Sequence, residues 1–339
     1  GENFLIVERE FVVERDKLGP EQKLGDLQTG DIKYLSYSSI PVVVKGKQDE
    51  SVFASIKVSD KGLNSVGYTF YKPNANTGIP FSKGSKFGLT SFTLHGNTYK
   101  QEVSKSEKEG YEMSVRYGYV KTRTTTTTTT TYQFPQLAAS QWQFVLDRVY
   151  NGLVKFMKSE YNIDFVPVEK IMGTPNYTTL FPAKESNTTK FINTSYKGTQ
   201  RTEPKSIGEL LGTVSESYTT DNNVVNLMKQ ADVDGLVNMH LNFEVAGNTD
   251  GKVILIPSLR INITGRDEEN NSKQGIYANG YVIKTSGNSF NADLIKTNPN
   301  ALAIACSTDE LINGLIDGIR NLRQKEVALG FDKIWNIGK

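Results

Sequence analysis

Asp232-Val-Asp-Gly-Leu-Val-Asn-Met-His-Leu-Asn-Phe-Glu-Val245 is the stretch of sequence that decides the fold. From Val237 onward, apolar and polar residues alternate strictly, which places every second side chain on the same side of an extended chain. The pattern predicts an antiparallel strand with one buried face and one wet face. The wet face carries Asn238, His240, Asn242 and Glu244.

Two further strands follow this stretch. Gly247-Asn-Thr-Asp-Gly251 has the composition of a hairpin turn and leads into an alternating segment from Val253 to Thr264. A polar loop from Arg266 to Gly275 precedes a third strand over Ile276–Lys284. The three strands predict a meander.

Helical patterns surround the meander. A helix over residues 140–158 is predicted by apolar residues at helical spacing and by the capping-box spacing Ser140-Gln-Trp-Gln143. A short strand over Ile163–Val168 is predicted to follow it. Asp221 caps a second helix, whose buried stripe runs from Val224 to Ala231. A short helix is also expected at Ser206–Glu209.

A last helix opens with the capping-box spacing Ser307-Thr-Asp-Glu310. Gly314 and Gly318 lie four residues apart on it, which would let the helix approach a sheet or another helix closely. Its predicted apolar stripe consists of Leu311, Ile312, Leu315, Ile316, Ile319 and Leu322. The order of elements predicts an α/β sandwich over residues 135–339, with a mixed or antiparallel sheet and helices on one face.

The first 134 residues read as strand after strand. Turn residues such as Gly62, Gly84 and Gly96 separate alternating segments, and no helical period stands out. We therefore expect residues 1–134 to form a β-rich domain or an extension of the sheet. The fold class is accordingly α+β.

An aromatic segment and a threonine run end this half. Tyr111–Tyr119 alternates so that Tyr111, Met113, Val115, Tyr117 and Tyr119 share one face of a predicted strand. The run Thr124–Thr131 is predicted to prolong that strand or to form an extended linker, since threonine is β-branched and a poor helix former. An O-glycosylated linker is an alternative, whereas an ice-binding lattice would need several such strands.

Composition excludes several classes of function. The chain has 39 basic and 37 acidic residues, a net charge of +2, and its basic residues are scattered, which argues against nucleic acid as a partner. No apolar stretch is long enough for a transmembrane helix. The single Cys306 precedes a helix in an apolar context and is predicted to be a buried core thiol.

Chemical motifs are absent from the sequence. It holds no phosphate-binding loop, dinucleotide fingerprint, zinc-protease motif or nucleophile elbow. His240 is predicted to be a solvated strand residue and His95 a strand-end residue beside a turn. The acidic residues near Asp232 and Asp250 have the composition of turns rather than of a calcium loop. We therefore predict a non-enzymatic protein without a cofactor or metal.

The segment from Asp221 to Lys284 resembles a known architecture. A helix ending in Leu227-Met-Lys-Gln-Ala-Asp-Val-Asp-Gly-Leu-Val237, followed by the meander, looks like the α/β domains of bacterial envelope proteins. Examples are the curli-secretion lipoprotein and the N-terminal domain of the Tol translocation protein. The resemblance covers residues 140–325 and implies an envelope location and partner binding.

These observations predict an exported bacterial cell-envelope protein, periplasmic or associated with the outer membrane. We expect its signal peptide to have been removed, and a lipid anchor could lie upstream. It would act by binding a protein partner or by self-assembly. The alternative is a carbohydrate- or cell-wall-binding module, and an enzyme with an unfamiliar carboxylate site is a third possibility. The residues assigned to the partner or glycan surface are Tyr111, Tyr117, Tyr119, Tyr132 and Trp142.

Overall fold

The structure is a computed structural model of the chain. It describes residues 4–7, 10–13, 32–36, 42–45, 56–61, 66–72, 84–114, 116, 118–181, 191–199, 223–266 and 274–329. The strands of these residues are, in chain order, Phe4–Val7 (β1), Glu10–Val13 (β2), Ile32–Ser36 (β3), Val42–Lys45 (β4), Ile56–Asp60 (β5), Val66–Lys72 (β6), Lys86–Asn97 (β7), Tyr99–Ser114 (β8), Gly118–Gln133 (β9), Asp164–Phe165 (β10), Phe191–Ser195 (β11), Gly235–Gly247 (β12), Val253–Arg266 (β13), Gln274–Lys284 (β14) and Asn288–Ser289 (β15). The α-helices are Ala139–Tyr161 (α1), Val168–Met172 (α2), Tyr177–Leu180 (α3), Asn223–Ala231 (α4), Ala292–Thr297 (α5), Pro299–Ala305 (α6) and Thr308–Ala328 (α7).

One large mixed sheet organises the body of the protein. Its strands follow the order β10-β7-β12-β13-β14-β6-β5, with β11 added to β7 and β15 added to β13. β7 runs parallel to β10 and β12, and the other neighbours are antiparallel. Strands β5, β6 and β7, from the first 134 residues, thus lie in the same sheet as strands from the rest of the chain. β1 pairs with β4 and β2 with β3 in two small separate ladders.

The predicted meander is confirmed in β12, β13 and β14. His240 lies directly opposite Arg260, and Arg260 lies opposite Tyr281 on the next strand. The apolar set of β12 is buried in the main core. Strict alternation thus placed this strand correctly because one face of it packs against helices.

Helices α1 and α7 cover the apolar face of the sheet. The crossing of the two helices is close, since a Cβ on Gly152 of α1 would lie 2.9 Å from the Ile312 side chain of α7. α7 also packs tightly onto the sheet, where Gly314 meets Val282 and Gly318 meets the ring of Phe70. The close approach that the two glycines predicted is therefore confirmed. Cys306 is fully buried in the same core, as expected.

Three shorter helices lie over one end of the opposite face. α2, α3 and α4 form a second apolar cluster around Ile171, Tyr177 and Leu236. The phenol of Tyr177 donates a hydrogen bond of 2.7 Å to the carbonyl oxygen of Thr90 on β7. The predicted α+β class, with a mixed sheet and helices in the C-terminal half, is confirmed. In addition, part of the predicted wet face is covered.

The helix caps differ from the predicted boxes. At α1 the backbone N–H of Ala138 donates to the Gln141 side chain at 3.0 Å, so the box begins two residues before Ser140. Gln143 is then free to bridge to the carbonyl oxygen of Ser195 at 2.7 Å. Ser307 has φ of 51° and makes no cap bond, because its hydroxyl accepts from Lys284 instead.

The predicted strand across Tyr111–Val120 is wrong. The chain turns between Ser114 and Gly118, so this segment is the tip of a hairpin made by β8 and β9. Met113 pairs with Tyr119 across the tip, which explains why both fit one alternating pattern. The threonine run belongs to β9. The predicted helix at Ser206–Glu209, the Asp221 cap and the tail beyond residue 329 lie outside the described residues.

Candidate functional site: an exposed β-hairpin arm

The described members of the aromatic set assigned to one surface lie in different parts of the structure. Trp142 is only 4% exposed and packs between Phe134 and Phe243 in the core. Tyr132 is half-buried at the base of the hairpin, whereas Tyr111 lies near the tip and is 69% exposed. The five therefore do not form one surface.

The remaining two members of the set are Tyr119, which lies near the tip, and Tyr117. Tyr119 pairs through its backbone with Met113, whose side chain is 79% exposed. Tyr117 lies outside the described residues. The tip thus presents Tyr111 and Met113 to solvent on one face of the hairpin.

β8 and β9 form a long two-stranded arm. Each strand has 16 residues, and they pair without a bulge from Tyr99 opposite Gln133 to Ser114 opposite Gly118. At about 3.4 Å per residue the arm is roughly 50 Å long. Every described side chain between Gln101 and Thr131 is exposed or half-exposed. The arm therefore has no core of its own.

The base of the arm is anchored in the body. The backbone N–H of Phe134 donates to the carbonyl oxygen of Thr98 at 2.7 Å, which continues the ladder into the sheet region. The Tyr132 ring lies against Gly247 at the end of β12, where a Cβ would come within 2.1 Å of the ring. Glycine at this position lets the arm seat closely on β12.

One face of the arm carries serine and threonine hydroxyl groups together with the charged residues Lys100, Glu102 and Lys108. Ser104 lies opposite Thr128 and Ser106 opposite Thr126, with Thr122 opposite Gly110 nearer the tip. On the other face, ion pairs join Lys121 to Glu109 at 2.8 Å and Arg123 to Glu107 at 3.1 Å. All four charged side chains are about half exposed, so each pair contributes little to stability.

The two edges of the arm differ in charge. β8 carries seven charged residues, and they recur along its whole length. β9 carries only Lys121 and Arg123, and the eight residues Thr124–Thr131 have no charge, proline or glycine. Within the described part of the chain, no third strand pairs with either edge. Natural proteins protect such edges with charges, proline or bulges, and the β9 edge has none of these over the threonine run.

The polar face of the sheet, where β7 and β12 pair, is a second candidate site. The hydroxyl oxygen of Thr93 lies 2.7 Å from Nδ1 of His240. Burial, helped by the nearby His95 and Arg260, lowers the pKa of His240 to about 4. His240 is therefore shielded from water, and the prediction that it is a solvated strand residue is wrong. A base this weak beside a buried hydroxyl is poorly suited to activating a nucleophile.

A small recess lies next to this face. Asn262 is 8% exposed, and neither its amide nitrogen nor its amide oxygen has a hydrogen-bond partner among the described residues. The recess beside it has a volume of about 10 Å³, roughly the room that one water molecule takes. It is lined by Thr90, Leu180, Phe181, Val224, Leu236, Asn238, Asn262 and Thr264. A substrate of ordinary size does not fit there.

The acidic residues near β12 serve the backbone. The Asp234 carboxylate accepts from the backbone N–H groups of Ser85 and Lys86 at 2.7 and 3.0 Å, and so fixes the start of β7. The Asn248 side chain accepts from two backbone N–H groups within the β12–β13 turn. Among the described residues, no three acidic, histidine or cysteine side chains converge as metal ligands would.

The sequence predicted extended structure for the threonine run but not that the run forms an edge to which no other described strand is paired. The missing signal is the turn, because residues 115–117 are Val, Arg and Tyr, with only Gly118 as a turn residue.

None of the helices that the structure describes combines the length and apolarity required to cross a bilayer. Comparison of the chain with protein-family models, curated proteins and solved structures finds no match.

Proposed function

We propose that the chain is a non-enzymatic binding protein of the bacterial cell envelope, which docks a protein partner or another copy of itself through the β8–β9 arm. The observation that carries this proposal is the arm itself: two paired strands of 16 residues each extend from the body, and their described side chains between Gln101 and Thr131 are exposed or half-exposed on both faces. A two-stranded ribbon without a core is marginally stable in water. Pairing with another protein would supply the missing contacts.

The location is part of the same proposal. The resemblance of residues 140–325 to α/β domains of envelope proteins supports an exported protein, in the periplasm or at the outer membrane. Such domains act by binding partners. A chain of this kind needs no catalytic cleft, and the recess at Asn262 is too small to serve as one.

Photo-crosslinking in bacterial cells tests the proposal. A photoreactive residue replaces Thr126 on the arm or, as a matched control, the exposed Asn313 on α7. The full chain is exported to the periplasm before irradiation. We expect discrete protein adducts from position 126 and none from position 313. Equal yields from the two positions, or no adduct from the arm, would refute arm-mediated binding.

Carbohydrate binding is a second candidate, and the exposed ring of Tyr111 favours it. An aromatic ring open on one face can stack on a sugar, and Tyr111 is 69% exposed beside Met113. Glycan titration of the intact chain and of Tyr111→Ala, followed by calorimetry, tests this. Binding that Tyr111→Ala abolishes would favour the glycan function over protein docking at the tip.

A further inference from the structure

The arm raises the question of what pairs with its unprotected edge. Two edges are available, and they are not equivalent. Along β8, lysine and glutamate recur at positions such as Lys100, Lys105 and Glu107, and an incoming strand would have to accommodate them. Along β9 the segment Thr124–Thr131 offers eight β-branched, uncharged residues in regular pairing. The β9 edge is the one suited to adding a strand.

From this asymmetry we infer that two copies of the chain pair through their β9 edges, antiparallel and about a two-fold axis at the threonine run. The inference rests on the proposed function and names the partner. A two-fold axis perpendicular to the sheet keeps the same face of both arms on the same side. Because side chains alternate along a strand, an odd-numbered residue then pairs with an odd-numbered residue of the second copy, and an even-numbered residue with an even-numbered one. The axis therefore passes between two copies of the same residue, which at the centre of the threonine run is Thr127 or Thr128.

The charges of β9 fit this self-pairing. With the axis at Thr127, residues 124–130 each face a threonine of the second copy, and cross-strand threonine pairs are favourable. Arg123 would face Thr131 and Lys121 would face Gln133 of the second copy, so no like charges meet. With the axis at Thr128, Arg123 faces Gln133. A homopolymeric segment is thus complementary to itself in either register.

The resulting assembly would be closed. Its four strands would follow the order β8-β9-β9-β8, and the charged β8 strands would form both outer edges. Lysine and glutamate at an outer edge discourage further strand addition. The pairing therefore predicts a dimer that stops growing rather than a fibre.

Charge variants in the full chain test this inference. The first variant is Thr126→Glu/Thr128→Glu. With the axis at Thr127, the carboxylate at position 126 of each copy faces the carboxylate at position 128 of the other copy. With the axis at Thr128, the two carboxylates at position 128 face each other. Ser104→Glu/Ser106→Glu is the matched control, because these residues face Thr128 and Thr126 on the same side of the arm but lie on β8. Sedimentation velocity between 1 and 100 μM measures the dimer. We expect the β9 variant to raise the Kd about tenfold or more, and the control to change it little.

A charge-swap experiment guards against misfolding of the variants. Thr126→Lys/Thr128→Lys should also be mainly monomeric, and its mixture with the glutamate variant should restore the dimer. A monomeric wild-type chain, equal loss of the dimer in the β8 control, or no recovery in the mixture would each overturn the inference. The proposed function would survive that result if position 126 still crosslinks to a different protein, and it would fail as well if the arm forms no adduct.

Discussion

The carboxylate of Glu326 on α7 lies 3.0 Å from the ammonium group of Lys72 on β6, and both side chains are almost completely buried. Arg323 contacts the second carboxylate oxygen at 3.1 Å, and Lys72 lies over the ring of Tyr277. This pair fixes the end of α7 to the sheet close to the strands of the N-terminal half. Removing Glu326 therefore takes a carboxylate away from two cationic groups, of which Lys72 is almost completely buried.

Glu326→Leu is therefore expected to lower the free energy of unfolding by roughly 3–5 kcal/mol, the usual cost of removing one member of a buried ion pair. Urea unfolding followed by circular dichroism measures the change. Lys72→Met combined with Glu326→Leu should recover part of the loss, because the Lys72 ammonium group is then no longer buried opposite a leucine, while Arg323 is 15% exposed and keeps contact with solvent. A double variant as unstable as Glu326→Leu would show that packing, rather than charge, sets the cost.

Gly318→Ala tests the contact between α7 and the sheet. The added methyl group would lie 2.2 Å from two ring carbons of Phe70, so helix or ring must shift. We expect a loss of about 1–3 kcal/mol in the free energy of unfolding, despite the better helix propensity of alanine. Asn313→Ala, on the exposed side of the same helix, should change it by less than about 0.5 kcal/mol. Equal effects of the two substitutions would contradict the close approach.

His240 should make stability depend on pH. Its pKa is lowered to about 4 in the fold, whereas an unfolded histidine has a pKa of about 6.5. The unfolded chain therefore binds the proton first, and this contribution is present above pH 6.5 and is lost as pH falls toward 4. The full loss is on the order of 3 kcal/mol. Urea titrations at pH 7 and pH 5 should show a smaller difference for His240→Asn than for the wild-type chain, and equal differences would argue against a shielded imidazole.

The arm should be dispensable for the stability of the body. Gln101 lies directly opposite Thr131, so replacing residues 102–130 with Asn-Gly closes a short hairpin in the same register. We expect the free energy of unfolding to change by less than about 1 kcal/mol, as for surface changes elsewhere. The same variant should be monomeric, because it lacks the threonine run at which the two copies are proposed to pair. Cooperative unfolding at much lower urea would mean that the arm is part of the folding unit.

The sequence predicted the elements that bury a regular stripe. β12, α4 and α7 are where expected, because strict alternation or helical spacing of apolar residues reflects the single face that each element packs. The glycines at 314 and 318 were also read correctly, since a close approach is a local demand on one side chain. Two helices were missed although their caps are visible: the side chains of Asn291 and Asn298 accept from the first backbone N–H groups of α5 and α6.

Long-range relationships account for the rest. β7 pairs in parallel with β12 about 150 positions later in the chain, for example at Ser91 and Asn238, and no local pattern encodes that choice. The shielding of His240 depends on Thr93 and on the other side chains that this pairing brings near. Trp142 is grouped with the surface tyrosines because it follows them in the sequence, yet it lies on the apolar stripe predicted for the 140–158 helix and faces the core.

Eight identical residues in a paired strand also affect how the gene can vary in length. Loss or gain of one threonine codon would reverse the sidedness of every residue beyond it, because side chains alternate with a period of two. Lys121 would then leave the side of the ribbon that holds Glu109, and their ion pair would be lost. Loss or gain of two codons would slide the strand but keep each side chain on its own side. Viable length variants of this tract should therefore differ by even numbers of threonines.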